Sequence, residues 1–172
     1  MRAHGGALLA YAFTLTGTSA SATVLVEDAL TRVFARGRPP DDVEGARSEV
    51  VRQIRRAAVR RRGADDAALV DLAAVDPLDP DDEDEDDPDD AALTQAALRT
   101  LPSRGRACVV MRYADGLAVD AIAAETGLGV EAVRAALADA VERLLDLRPG
   151  LGIDLTDALE GGAAETVSVS GR

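Results

Sequence analysis

Seven consecutive acidic residues, Asp81–Asp87, stand between Pro80 and Pro88, and no packed core can run through them. Neighbouring like charges repel and proline breaks helices, so the stretch is expected to stay extended and solvated. From 65 to 90 the chain holds fourteen acids and no base. This divides the 172 residues into a block at 1–64, a linker at 65–90, a second block at 91–148 and a tail at 149–172. The Gly-, Ser- and Thr-rich tail shows no sustained apolar period and is expected to lack structure. The linker reads as a plain tether, or as a strand that competes with DNA for a basic surface.

Charge follows the same division. The net value of −12, taken alone, argues against a nucleic-acid partner, because DNA binding rests on basic residues neutralising phosphates. By segment, 1–64 carries +5, the linker −14 and 91–172 −3, so the acidity belongs to the linker. All nineteen basic residues are arginine, and Tyr11, Phe13, Phe34 and Tyr113 are the four aromatics. A core must then be built from Ala, Val, Leu and Ile, a composition that favours closely packed helices and an all-α fold.

Several function classes find little material. One cysteine, Cys108, gives no internal disulfide and no cysteine-based zinc site, and it reads as a small core residue. His4 is the single histidine, so Ser103 has no partner for a nucleophilic triad. Gly127-Leu128-Gly129 is a helix-to-helix turn without the strand that precedes a phosphate loop. A non-enzyme without metal or cofactor is expected. No apolar run approaches a membrane span and no signal peptide is read at the N-terminus, so the expectation is a cytoplasmic protein with no membrane partner.

In the first block, Leu8–Leu15 has helical character and stops at Gly17. Ser19 and Ser21 are candidate caps for a helix in which Ala22, Leu25, Val26, Ala29, Leu30, Val33 and Phe34 repeat at helical spacing. A third helix, about Val43 to Arg62, has Val50, Val51, Ile54, Ala57 and Ala58 as its buried stripe. Arg52, Arg55 and Arg56 share the opposite face, with Arg60 close by. They suit phosphate contacts, or equally form a solvated polar face.

The second block predicts a helix over Ala91–Arg99, one capped by Ser103 that stops at Asp115–Gly116, a short one over Val119–Thr126, and a longer one from Val130. A short helix, a glycine turn and a second helix form a helix-turn-helix, whose second helix enters the major groove. Its outward positions are Glu131, Arg134, Ala135 and Ala138. Arg134 suits a guanine, Glu131 a cytosine, and the alanines a thymine methyl. Arg104, Arg106 and Arg112 are further candidate DNA contacts.

These residues resemble a known family. Leu101-Pro102-Ser103-Arg104-Gly105-Arg106, then Met111-Arg112-Tyr113-Ala114-Asp115-Gly116-Leu117 and Ala121-Ile122-Ala123, is similar to region 4 of the extracytoplasmic-function sigma factors of the sigma-70 family. Tyr11-Ala12, Leu15-Thr16-Gly17 and Leu25-Val26 through Phe34 resemble region 2. The resemblance implies a sigma-like initiation factor that docks on core RNA polymerase and recognises promoter DNA, with an anti-sigma factor as a further kind of partner. It places Leu25, Val26, Glu27, Asp28, Leu30 and Phe34 on the polymerase-docking helix. Ala46–Arg62 carries none of the aromatic residues usual in region 2 for trapping unstacked bases. The alternative reading is therefore a sigma-like binding module that no longer melts promoters and competes with or regulates a true sigma factor.

Overall fold

A computed structural model describes residues 2–35, 42–61, 88–148 and 151–160, and among them are eight α-helices and no strand. They are α1 (Arg2–Thr16), α2 (Ser19–Phe34), α3 (Val43–Arg60), α4 (Pro88–Arg99), α5 (Ser103–Tyr113), α6 (Val119–Thr126), α7 (Val130–Leu147) and α8 (Leu155–Glu160). The class is all-α, as composition required. Nearly all of the acidic linker expected at 65–90 lies outside the described residues. The helix expected from Ala91 begins three residues sooner, at Pro88, since a first-turn proline gives up only an N–H that has no helical acceptor.

Local chemistry explains the helix ends. After α1, Gly17 adopts φ +80°, where a β-carbon is strained, and its N–H donates to Phe13 O at 2.7 Å. Thr18, rather than Ser19 or Ser21, caps α2: it is extended, and its hydroxyl accepts from the Ser21 N–H at 3.3 Å. Asp42 caps α3 by accepting from Gly45 N at 2.6 Å. Ser103 is not the cap of α5 but its first helical residue, buried behind Pro102. Between α6 and α7, Gly127 turns the chain at φ +75° and donates to Ala123 O at 2.9 Å.

Side-chain size then sets the packing. α1, α2 and α3 close around Ala12, Leu15, Ala22, Leu25, Ala29, Val50 and Ile54. The helix α5 is buried on nearly every side: of Ser103–Met111, only Arg104 is exposed. One side of α5 meets α1 and α3, and another meets α6 and α7. A β-carbon on Gly105 would stand 3.0 Å from Ala140 Cβ, so α5 and α7 approach through their small residues. The sequence blocks at 1–64 and 91–148 thus share one continuous hydrophobic core rather than standing apart.

Arg106, 3% exposed, is one of the residues that join them. Its Nε donates to Leu98 O at 2.8 Å, Nη2 to Leu101 O at 2.8 Å and Arg99 O at 3.1 Å, and Nη1 to Thr16 O. These carbonyls sit at and just past the C-terminal ends of α1 and α4, where unpaired carbonyls and the helix dipole favour a cation.

The tail expected to lack structure contributes α8. Asp154 caps it, Oδ1 accepting from Thr156 N at 2.7 Å and Asp157 N at 3.1 Å, and these bonds hold its carboxyl below the usual range. Ala158 is fully buried, with Ile153, Leu155 and Leu159 packed on the core. The cap and the small apolar run were present in the sequence, but what α8 packs against is set by the fold.

Cys108 is fully buried on α5, and burial pushes its thiol up to about 12. It is therefore expected to resist thiol-labelling reagents at pH 8 in the native protein and to label fully in denaturant. Equal rates in the two conditions would contradict this placement.

Candidate nucleic-acid interface

The helix α7 keeps one face inside and one outside. Val133, Leu137, Ala140, Val141 and Leu144 are buried against α5 and α6, which fixes the rotation of the helix. Of the outward positions read from the sequence, Glu131, Arg134 and Ala135 are exposed, while Ala138 is half-buried. Ala132 and Asp139 are exposed as well, a widening of the face that the sequence reading missed. Arg134 has no hydrogen bond or ion pair among the described residues, so its planar fork is available to a partner. Thr126, fully buried, donates to Ile122 O at 2.6 Å and accepts from Leu128 N at 3.4 Å, stiffening the turn before this helix.

Beside α7 runs an open groove of about 430 Å³, lined by Arg61, Arg104, Gly105, Ala132, Ala136 and Asp139, among others. Arg104, at the start of α5, is exposed on its rim, and its Nε reaches Val59 O at 3.5 Å.

The other arginines read as DNA contacts are placed differently. Arg106 is buried and committed to carbonyls, so it holds the fold and presents nothing to a phosphate. Arg112 is turned toward α8: Nη2 donates to Asp157 O at 2.8 Å, Nε to Ala158 O at 3.3 Å and Nη1 to Leu117 O at 3.3 Å. Both were drawn inward by carbonyls at helix ends, a destination that spacing does not reveal.

Arg52, Arg55 and Arg56 do not act as one face. Arg52 pairs with Glu49 on the same helix and is exposed. Arg55 enters the seam between the blocks. Its Nη2 lies 3.0 Å from Asp115 Oδ2, its Nη1 2.8 Å from Glu125 Oε2, and its Nε donates to the Tyr11 hydroxyl at 2.9 Å. Tyr11 in turn donates to Asp115 Oδ2 at 2.5 Å, and the Arg55 guanidinium stands 5.9 Å from the centre of its ring. Burial first, and then the bond to Asp115, push the Tyr11 hydroxyl well above its ordinary range. Arg56 Nε donates to Glu125 O, at the end of α6, at 2.7 Å. The apolar stripe explains the surprise. Val59 lies half a turn around α3 from Val50, yet both are buried, so the arginine side of this helix is itself packed against the second block.

On α2, Leu25 and Val26 point inward at 4% and 6% exposure and serve the core, not a partner. Glu27, Asp28, Leu30 and Phe34 are exposed, joined by Val24, which the sequence reading left out. Val24 is half exposed, and its apolar character at an outward position was the available signal.

Residues 92–144, from α4 through most of α7, match the family model for Sigma-70, region 4. The second block carries a sigma-70 region 4 domain. The match spans 53 of the 172 residues and relates this second block to the sigma-70 family. A region 4 domain implies interaction with RNA polymerase and promoter DNA. No curated protein matches the chain. Within the matched stretch, α6, the Gly127 turn and α7 form the helix-turn-helix. Among the described residues, no single helix is long and apolar enough to cross a membrane; the apolar pair α1–α2 is bent by 120°.

Proposed function

We propose that this chain is a sigma-like initiation factor of the extracytoplasmic-function group, which docks on core RNA polymerase through α2 and recognises promoter DNA through α7. The observation that carries the reading is the helix-turn-helix of the region 4 domain with an exposed, unpaired Arg134 on its second helix. Glu27, Asp28, Leu30 and Phe34, with Val24, give α2 a mixed apolar and acidic face suited to a protein partner.

Reconstitution with core polymerase is the test. Stable binding together with transcripts from a selected promoter is the expected result. Binding without transcripts favours the second reading, a competitor or regulator of a true sigma factor. That reading draws support from α3, whose own residues include no aromatic to trap an unstacked base and whose Arg55 is spent within the fold. Failure to bind polymerase leaves a plain helix-turn-helix DNA-binding protein.

Arg134→Ala is expected to weaken promoter binding by roughly 5- to 100-fold and to relax preference at one base pair, as loss of a bidentate base contact does. Titration of duplexes varied one position at a time measures both effects. Unchanged affinity and preference would remove Arg134 from the readout.

A further inference from the structure

Residues 151–160, which end in α8, lie beyond the stretch matched to region 4. The six residues of α8 form too short a helix to persist alone in water, where helices below about 12 residues are marginal. It is therefore helical because the fold holds it. Leu155, Ala158 and Leu159 stand at i, i+3 and i+4 and pack on the core, where α7 is the helix they meet. Thr156, Asp157 and Glu160 on the other side are exposed.

The polar bonds that hold α8 are ones another helix would also satisfy. Arg112, second to last on α5, donates from Nη2 to Asp157 O at 2.8 Å and from Nε to Ala158 O at 3.3 Å, with the Asp157 carboxylate 3.9 Å away. The Tyr113 hydroxyl beside it donates to Asp154 O at 3.4 Å. A helix presents such carbonyls near its C-terminal end, where its dipole favours a cation. Arg112 is also fixed without α8, since its Nη1 donates to Leu117 O at 3.3 Å. The apolar hold is small: Ala158 is fully buried, whereas Ile153, Leu155 and Leu159 are half-buried. Gly152 turns the chain into α8 at φ +65°, and a β-carbon there would meet nothing within 4 Å. A segment with so little burial opens locally well before the rest of the fold.

We propose that α8 is an exchangeable strap, and that the face of α7 and α5 beneath it is a docking site for a short, acidic amphipathic helix of a partner protein. The strap itself defines that partner's chemistry. Apolar residues stand at i, i+3 and i+4 with a small one among them, a carboxylate faces Arg112, and C-terminal carbonyls lie within reach of the same guanidinium. Because α8 is tethered to the site, it shuts out weak competitors, and a partner enters only by outcompeting it. The proposal does not rest on α7 reading DNA.

A fluorescent peptide with the sequence of residues 151–160 is titrated into the full chain carrying Ala158→Asp, whose own α8 is unseated by a buried carboxylate, and into the wild type. A chain ending at Arg148 serves as a second host without the new charge. Saturable binding to both hosts is expected, with binding to the wild type roughly tenfold or more weaker because its site is occupied. A peptide carrying the same Ala158→Asp change should not bind. Adding Arg112→Gln to the first host should weaken the peptide by roughly tenfold, as loss of a charged hydrogen bond does. No saturable binding to either host, or equal affinity for the hosts and the wild type, would overturn the site. Loss of the α1–α7 helical signal in both hosts would make α8 part of the core and overturn the strap. Wild-type dimers that the peptide dissolves would make the occupant a second copy and overturn the partner assignment.

Discussion

Arg106→Met is expected to lower the stability of the chain by about 3–5 kcal/mol, the largest single effect predicted for any arginine here. Methionine fills much of the same volume, so the loss is not chiefly one of packing. It comes from the carbonyls of Thr16, Leu98, Arg99 and Leu101, which all accept hydrogen bonds from this one guanidinium. With the arginine gone, the Thr16 and Leu101 carbonyls lose this donor in a buried setting, and each unsatisfied group costs about 1–3 kcal/mol. Lysine keeps the charge but not the five-donor fork, and should recover less than half of the loss. Thermal unfolding followed by helix circular dichroism measures it. For a chain of this size the expected drop in Tm is on the order of 10 °C. A change below about 1 kcal/mol would show that Arg106 does not join the two blocks as described.

The second large effect is expected at Arg55. Arg55→Met strips the counter-charge from Asp115 and Glu125 and the donor from the Tyr11 hydroxyl, and should cost about 2–3 kcal/mol. The figure is held below that for a fully buried pair because the Arg55 and Asp115 side chains keep 16% and 15% of their exposure, so water relieves part of the loss. Because these partners come from α1, α6 and the loop after α5, while Arg55 is on α3, the damage should concentrate in the seam. Amide exchange should quicken in α3 and α6 more than in α7. A double-mutant cycle with Asp115→Asn isolates the pair; a coupling energy near zero would refute it. The same cluster predicts an alkaline limit. The pKa of Tyr11 is raised in the folded state, so the stability its proton supplies is intact below the ordinary phenol value near 10 and is lost as pH climbs above it. Tyr11→Phe should flatten that alkaline loss.

These two arginines show where sequence reading stops. Helix periodicity located every helix from α1 to α7 to within a few residues, apart from the stretch of α1 before Leu8, because an apolar stripe at three- and four-residue spacing and a glycine turn are properties of the chain itself. It also placed the helix-turn-helix and the outward position of Arg134, since Val133, Leu137 and Val141 fix which way α7 turns. For arginine, the reading was less sure. Arg52, Arg55, Arg60, Arg104, Arg106 and Arg112 all look like surface cations in one dimension, yet one is buried and others hold seams. The side chain is long, and a carbonyl at a helix end or a carboxylate on a neighbouring helix attracts it as a phosphate would.

Sequence alone determined the all-α class, the helix-turn-helix and the acidic interruption between two blocks, because composition, period and local charge act between near neighbours. The tertiary structure decided that the blocks share a core, that Leu25, Val26 and Arg106 belong to it, and that α8 closes it. Those outcomes depend on which helix ends meet, and contacts between residues as far apart as Tyr11 and Asp115 are set by the balance of burial and pairing over the whole chain, not by spacing within any part of it.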